Sequence, residues 1–324
     1  MIRLPWLSRI SGAATSGLEV IRVLREKKVD VILLYGLPTV GVQTLTAARA
    51  FRVPIVFRAI DVSHQLVPNR LLVPPTKILE RIIFNSVDFN VALTPHLKHY
   101  IQSYGVPESA IRLLPSGVDA KMFSPGPRQP ELLARWGIGP DDLVILFMGT
   151  IYSFSGLDTV IGRFDSVRAK HKNAKLLIVG SGEGEAKLRS LAEQCGVSQS
   201  VIFTGMQPYS ILPGVIRSSD VCINPFQLNG ITRNILPTKL FQYMTCSKPV
   251  LATSLPGTVT FLAGEDQGIV YTELKDFNDQ LSALLSDTNK REILGCRARE
   301  SAKEYDWHSL AKTMSSWLEE AAYA

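Results

Sequence analysis

The segment Asn229–Pro249 carries residue types whose spacing suits an anionic ligand. Pro237 fits the first turn of a helix, where its missing N–H costs nothing and its fixed φ is already helical. The N–H groups of Thr238 and Lys239 then point back along the axis, with the partial positive charge of the helix end behind them. Together with the Lys239 ammonium they make a diphosphate site. Gln242 follows one turn later on the same helical face, where its carboxamide can bond sugar hydroxyls. A capped helix with a solvated lysine accounts for the same residues without a ligand. A second candidate is Gly180-Ser181-Gly182, between an apolar run and a helical pattern. A strand, a glycine turn and a helix N-terminus in that order cradle phosphate, and equally serve a tight connection with no ligand.

The elements that must hold these residues read as two sets of βαβ units, because short β-branched runs recur between helical patterns. The first set is Val29–Tyr35, Val53–Ile60, Phe89–Thr94 and Ile111–Leu114; the second is Leu143–Met148, Lys175–Val179, Val201–Thr204, Val221–Pro225, Pro249–Ala252 and Gly268–Tyr271. The runs lack alternation, as expected of parallel strands covered on both faces. Leu188, Leu191, Ala192 and Cys195 fall on one face of a helix predicted over Glu183–Cys195. Ser124–Asp142, with four Pro, three Gly and a charged surface helix around Glu131–Trp136, reads as the domain connection.

Composition narrows the function. The chain has 324 residues, 46% hydrophobic and 20% charged, which suits about two globular domains. Cys195, Cys222, Cys246 and Cys296 stand at least 24 residues apart with no C-x-x-C pair, against a zinc site and in favour of a reducing cytosol. A balance of 35 Lys and Arg against 29 Asp and Glu is too diffuse for a nucleic-acid binder but suits anionic lipid or phosphate-bearing ligands. Neither a signal peptide nor a membrane span is expected, since no apolar run approaches about 18 residues.

Six segments then follow one another in order: Gly117-Val118-Asp119 with Phe123 and Pro125; Gly149 with Gly156-Leu157-Asp158; Leu176 to Gly182; Val201 to Gly205; Leu236 to Met244; and Lys248-Pro249-Val250. Each is common in α/β proteins. The ordered set resembles the nucleotide-sugar-dependent glycosyltransferases of the GT-B fold, and among them the large retaining family four. The resemblance implies two Rossmann-like α/β domains with parallel sheets facing a central cleft. It places an incomplete acceptor-side domain over residues 1–138, a donor-binding domain over 139–305, and a C-terminal helix over 306–324 packing near the interdomain region. It further implies a metal-independent, retaining hexosyltransferase of polysaccharide or glycolipid biosynthesis. The nucleoside-diphosphate sugar would be substrate, with no separate cofactor, and the acceptor a glycan or lipid-linked hydroxyl. No Asp-x-Asp metal clamp occurs in the sequence.

The same resemblance assigns Gly149, Ser155, Gly180, Gly182, Gly205, Asn229, Gly230, Arg233, Asn234, Thr238, Lys239 and Gln242 to the donor. Several positions depart from the pattern. The family carries two glutamates eight residues apart where this chain has Asn234 and Gln242, so hydrogen bonding survives and negative charge does not. Thr150 and Ser155 replace the cations that relatives place on the diphosphate, which leaves that charge to Arg233 and Lys239. Ser247 stands where relatives have glycine after the helix, at a cost of ~1 kcal/mol if its φ is positive.

On the acceptor side, Arg58, Asp61 and His64 occupy the end of the second strand run, where a Rossmann-like sheet presents ligand groups. Asp61 is the first choice, because many relatives have Asp or His there; a helix N-cap is its structural alternative, and a plain surface-loop residue is that of His64. His96 and His99 belong on a solvated helix face that starts at Thr94-Pro95. Leu66–Phe84 mixes Arg70, Lys77 and Arg81 with many apolar residues, which fits a membrane-facing surface and a buried core helix equally. Peripheral membrane attachment in the cytoplasm follows from the first of these.

Two other functions fit the departures: a binding or regulatory subunit without turnover, and a nucleotide-sugar epimerase. Members of the family also have more βα units ahead of the counterpart of Asp30–Tyr35. Met1–Lys28 offers a helix over Ser16–Lys27 and no strand. An N-terminal sheet of about four strands with an exposed edge is therefore expected, and with it a truncated reading frame or a partner chain, or self-association, that completes the domain.

Overall fold

A computed structural model describes residues 5–36, 40–67 and 69–323, with side chains from Ser16 onward. Two compact units emerge: Met1–Ser116 together with Ser309–Ala324, and Gly117–His308.

The first unit is built on a parallel sheet of four described strands in the order β1 (Ile32–Tyr35), β2 (Ile55–Ala59), β3 (Phe89–Ala92) and β4 (Ile111–Leu113). All of β2 is buried, which explains why its sequence lacks alternation. Leu45, Phe57, Ile83, Phe84 and Ile101 fill one face of the sheet, and Val56, Val91, Leu114 and Leu310 the other. β1 is the outer strand among those described, and an apolar groove of about 400 Å³ lined by Val20, Val23, Leu24, Val29 and Ile32 lies beside it. The helix expected over Ser16–Lys27 spans Pro5–Glu26.

The helix Trp307–Tyr323 contributes its residues from Ser309 to this unit. Arg112 anchors it: the guanidinium lies 4.1 Å from the Phe89 ring centre and 5.3 Å from that of Trp317, and bonds Glu320 at 2.8 Å. Stacking and a bidentate carboxylate are both arginine geometries. Arg112→Ala should speed amide hydrogen exchange across residues 309–323 at least tenfold while sparing β2 and β3. Unchanged protection there would show that the helix docks without the anchor.

The second unit has six parallel strands: β5 (Leu143–Met148), β6 (Ala174–Val179), β7 (Val201–Gly205), β8 (Val221–Asn224), β9 (Val250–Thr253) and β10 (Ile269–Thr272). Their spatial order, β10-β9-β8-β5-β6-β7, reverses between β5 and β8. That is the doubly wound arrangement whose ligands bind outside the carboxyl ends of the strands at the switch point.

The boundary falls before Gly117 rather than after Ile138. The Pro-rich stretch read as a connection instead wraps onto the second unit. Val118, Phe123, Leu132, Leu133 and Ile138 are buried in its core, and Arg217 donates to the Ser124 carbonyl at 2.6 Å. Ser124–Asp142 contains one short helix, Pro130–Ala134.

Candidate functional site

Lys239 lies in the first turn of the helix Thr238–Thr245, next to the switch-point strands β5 and β8. Pro237 is the residue before that turn, with ψ 121°, so the helix starts one position later than the proline suggests. The first-turn amides of Thr238 and Lys239 have no intrahelical acceptor. Lys239 and Gln242 leave the helix on one side but their ends diverge. The Lys239 ammonium is buried without a hydrogen-bond partner, 4.0 Å from the Phe147 ring centre and 4.5 Å from that of Phe226. Burial pushes its pKa down to about 7. Gln242 instead donates to the Tyr209 hydroxyl at 3.4 Å.

Gly149 leaves β5 with φ +132°, and a side chain there would come within 3.2 Å of the Lys239 nitrogen. Gly180 and Gly182 are fixed by the same loop: an added Cβ would stand 2.1 Å from the Gly149 carbonyl oxygen and 2.2 Å from that of Ile151. Backbone bonds lace the two turns, from Gly149 to Val179 at 2.8 Å, from Ile151 to Ser181 at 3.0 Å and from Gly180 to Gly205 at 2.9 Å. Close packing of two loops thus accounts for these glycines. Ser155 is buried, whereas Thr150 is exposed.

The loop before Lys239 is self-capped. The Asn229 side-chain oxygen accepts from the Ile231 and Thr232 amides at 2.8 and 2.9 Å, which commits to the turn an oxygen expected on the donor. Gly230 and Arg233 are exposed, and Asn234 is half-buried with its backbone against Gly257. Ser247 has the anticipated positive φ of 61° and donates to the Gly295 carbonyl at 2.9 Å. Asn224, which ends β8, went unremarked in the sequence; its carboxamide is buried with neither polar atom bonded. A lone amide closing an apolar strand was the available signal.

In the first unit, Arg58 is buried within β2 rather than presented beyond it. Its Nη2 donates to the Pro115 carbonyl at 3.2 Å, its Nη1 is buried with no partner, and desolvation lowers its pKa. Asp61 is exposed and caps no helix; the turn Ser63–Gln65 is preceded by Val62. Enough protein surrounds the Asp61 carboxyl to raise its pKa by desolvation. His64 is no free surface histidine: its Nδ1 lies 3.0 Å from Glu80, a carboxylate with no exposed surface. Tyr100 and Tyr104 bond the same carboxylate. His96 and His99 are exposed on the helix Pro95–Gln102, which Thr94 caps. No cluster of three metal-ligating side chains occurs among the described residues.

A family model described as Glycosyl transferases group 1 matches residues 128–301, and one described as Glycosyltransferase Family 4 matches residues 1–121. A GDP-mannose-dependent alpha-(1-6)-phosphatidylinositol monomannoside mannosyltransferase of Mycobacterium tuberculosis is 26% identical over 76% of this chain and 66% of its own length. A GDP-mannose-dependent monoacylated alpha-(1-6)-phosphatidylinositol monomannoside mannosyltransferase of Corynebacterium glutamicum is 25% identical over 92% of this chain and 78% of its own. The crystal structure of Anabaena HepE in complex with UDP superimposes with a TM-score of 0.78 at 16% identity, covering 94% of this chain and 82% of that one. The match to the first curated relatives spans 60–66% of their length.

Proposed function

Because this chain belongs to the Glycosyl transferases group 1 family and has a GT-B fold, we propose that it transfers a hexose from a nucleoside-diphosphate sugar to a glycan or lipid-linked hydroxyl, with retention at the anomeric carbon. One observation carries the reading: a buried ammonium without a partner, Lys239, stands at a helix N-terminus beside the topological switch point. An anion supplies what that ammonium lacks, and the free first-turn amides add donors for a diphosphate. On this reading Asn224 and Gln242 bond the donor, while Asp61 and His64 serve the acceptor. The relatives' names make GDP-mannose, and the Anabaena complex makes UDP-sugars, the donors to try first.

The test is a donor panel read by thermal shift, followed by measurement of released nucleoside diphosphate. A donor that raises the melting midpoint and is then consumed supports transfer. Binding without release would favour the regulatory-subunit reading, which the replacement of both family glutamates by Asn234 and Gln242 recommends.

The acceptor proposal has a surface to match. Leu66, Leu71, Leu72, Ile78 and Ile82 are exposed alongside Arg70, Lys77 and Arg81, and the one acidic residue of Leu66–Phe84, Glu80, is buried. Apolar area rimmed only by cations fits an anionic lipid surface. No described helix is long and apolar enough to cross a membrane. Vesicles of phosphatidylcholine with phosphatidylglycerol should sediment the protein, and the pair Leu71→Asp and Ile78→Asp should cut the bound fraction at least fivefold. Equal binding by that variant would remove this surface from the proposal.

A further inference from the structure

Glu80 is a carboxylate with no exposed surface, projecting from the buried face of the helix Val73–Phe84 between Thr76 and Ile83. Among the described residues it has no lysine or arginine partner, and a buried charge without one needs full hydrogen bonding. It has that bonding. Oε1 accepts from the His64 backbone amide at 3.1 Å, and Oε2 lies 3.0 Å from His64 Nδ1. Tyr100 donates to Oε2 at 2.5 Å and Tyr104 at 3.0 Å. One carboxylate thus grips one histidine twice, by backbone and by ring. Pinning the loop would need only the first contact; the second fixes the ring's rotation.

The hydroxyl geometry also fixes where the ring proton sits. Tyr100 lies 2.9 Å from His64 Nδ1 as well as 2.5 Å from Glu80. A phenol has one proton, and burial with the adjacent carboxylate raises its pKa, so Tyr100 stays protonated. Its proton goes to the carboxylate, the shorter contact and the stronger acceptor. Both oxygens around Nδ1 are then acceptors, so Nδ1 carries hydrogen. Tyr104, 2.7 Å from the Tyr100 oxygen, packs beside it on the same carboxylate. No described protein group bonds Nε2, and the side chain keeps 14% of its surface exposed. This nitrogen is therefore the one left open to a ligand, in a loop just beyond the carboxyl end of β2.

We infer that Glu80, oriented by Tyr100 and Tyr104, is a positioning residue that holds His64 with Nδ1 protonated and Nε2 free to accept from a substrate hydroxyl. The inference deepens, and rests on, the proposal that this strand end serves the acceptor. The groups facing the imidazole are Glu80 from the helix Val73–Phe84 and Tyr100 from the helix Pro95–Gln102; Tyr104, in the turn after that helix, meets the same carboxylate. Other histidines share none of these contacts: His96 and His99 are exposed.

Long-range proton–nitrogen correlation spectra of the full chain, labelled with nitrogen-15 histidine and assigned by loss of a signal in His64→Gln, read the tautomer directly. Wild type should show neutral His64 in the Nδ1–H form alone. In Glu80→Met the Tyr100 proton is released to turn toward Nδ1, and His64 should move to the Nε2–H form. Turnover of whichever of GDP-mannose or UDP-glucose the chain consumes should fall at least tenfold in kcat in that variant, with donor KM unchanged. An Nε2–H form in wild type overturns the inference even if Glu80→Met does not fold. Unchanged kcat in a folded Glu80→Met overturns it too. A wild type that consumes no nucleotide sugar defeats the transferase reading instead, and the spectrum still decides the geometry.

Discussion

Lys239→Ala should weaken binding of a nucleoside diphosphate roughly ten- to a hundredfold, the 1.5–3 kcal/mol typical of a hydrogen bond to a charged group. The ammonium is already stripped of water in the unliganded chain and rests on two aromatic faces. Those faces favour the cation by up to about 2 kcal/mol, less than the several kcal/mol that hydration of an ammonium supplies, so desolvation wins and the pKa settles near 7. A diphosphate reverses this by adding negative charge against the nitrogen. Binding must then take up a proton wherever the free chain has lost one. The sign follows: the contribution of Lys239 to affinity is full where the free chain keeps its proton, and it falls as pH rises through about 7. Calorimetry of GDP and UDP binding between pH 6 and 9, in two buffers of different ionisation enthalpy, measures both the slope and the proton. Wild-type affinity in Lys239→Ala, or a pH-independent dissociation constant, would remove Lys239 from the site. The same depressed pKa makes the unfolded chain the better proton binder between about 7 and 10, so this group's contribution to stability improves across that window.

How far such a site is legible in the sequence depends on where its partners lie along the chain. All ten strand runs became strands, with bounds that moved by at most three residues, because β-branched runs bounded by turns are a local signal. Thr94 was legible as a cap for the same reason. The contacts that make Lys239 and His64 unusual are not local. Phe147 and Phe226 reach Lys239 from β5 and the loop after β8, and Glu80 and Tyr100 reach His64 across 16 and 36 residues. No spacing rule joins them. Only the odd placement of one glutamate on the apolar side of a helix hinted at a buried network. The domain boundary failed differently. Pro and Gly around Ser124–Asp142 suggested a linker, but Phe123, Leu133 and Ile138 interleave with those turns and are buried. Burial of such residues overrides a compositional reading.

The glycine turn is where a ligand reading and a packing reading give opposite results, and packing should win. Gly180→Ala should lower the melting midpoint by about 8–16 °C, from a loss on the order of 4 kcal/mol at 2–4 °C per kcal/mol for a unit of this size. Two costs combine. The backbone at φ +132° is one that a side chain rarely adopts, worth about 1–3 kcal/mol. The new Cβ would also stand 2.1 Å from the Gly149 carbonyl oxygen, so one loop must move. Moving it breaks the bonds from Gly149 to Val179 and from Ile151 to Ser181 that hold the end of β5 in place. Gly230→Ala is the control: it too was assigned to the donor, but nothing lies within 4 Å of its added Cβ, so its midpoint should stay within about 1–2 °C of wild type. If Gly180 were there to let a phosphate approach, the unliganded protein would melt normally and only nucleotide affinity would fall. A Gly180→Ala midpoint within about 2 °C of wild type would establish that. Loss of both together is what the laced loops require, because Gly149 also lies against Lys239, and a displaced Gly149 takes the floor of the ammonium's pocket with it.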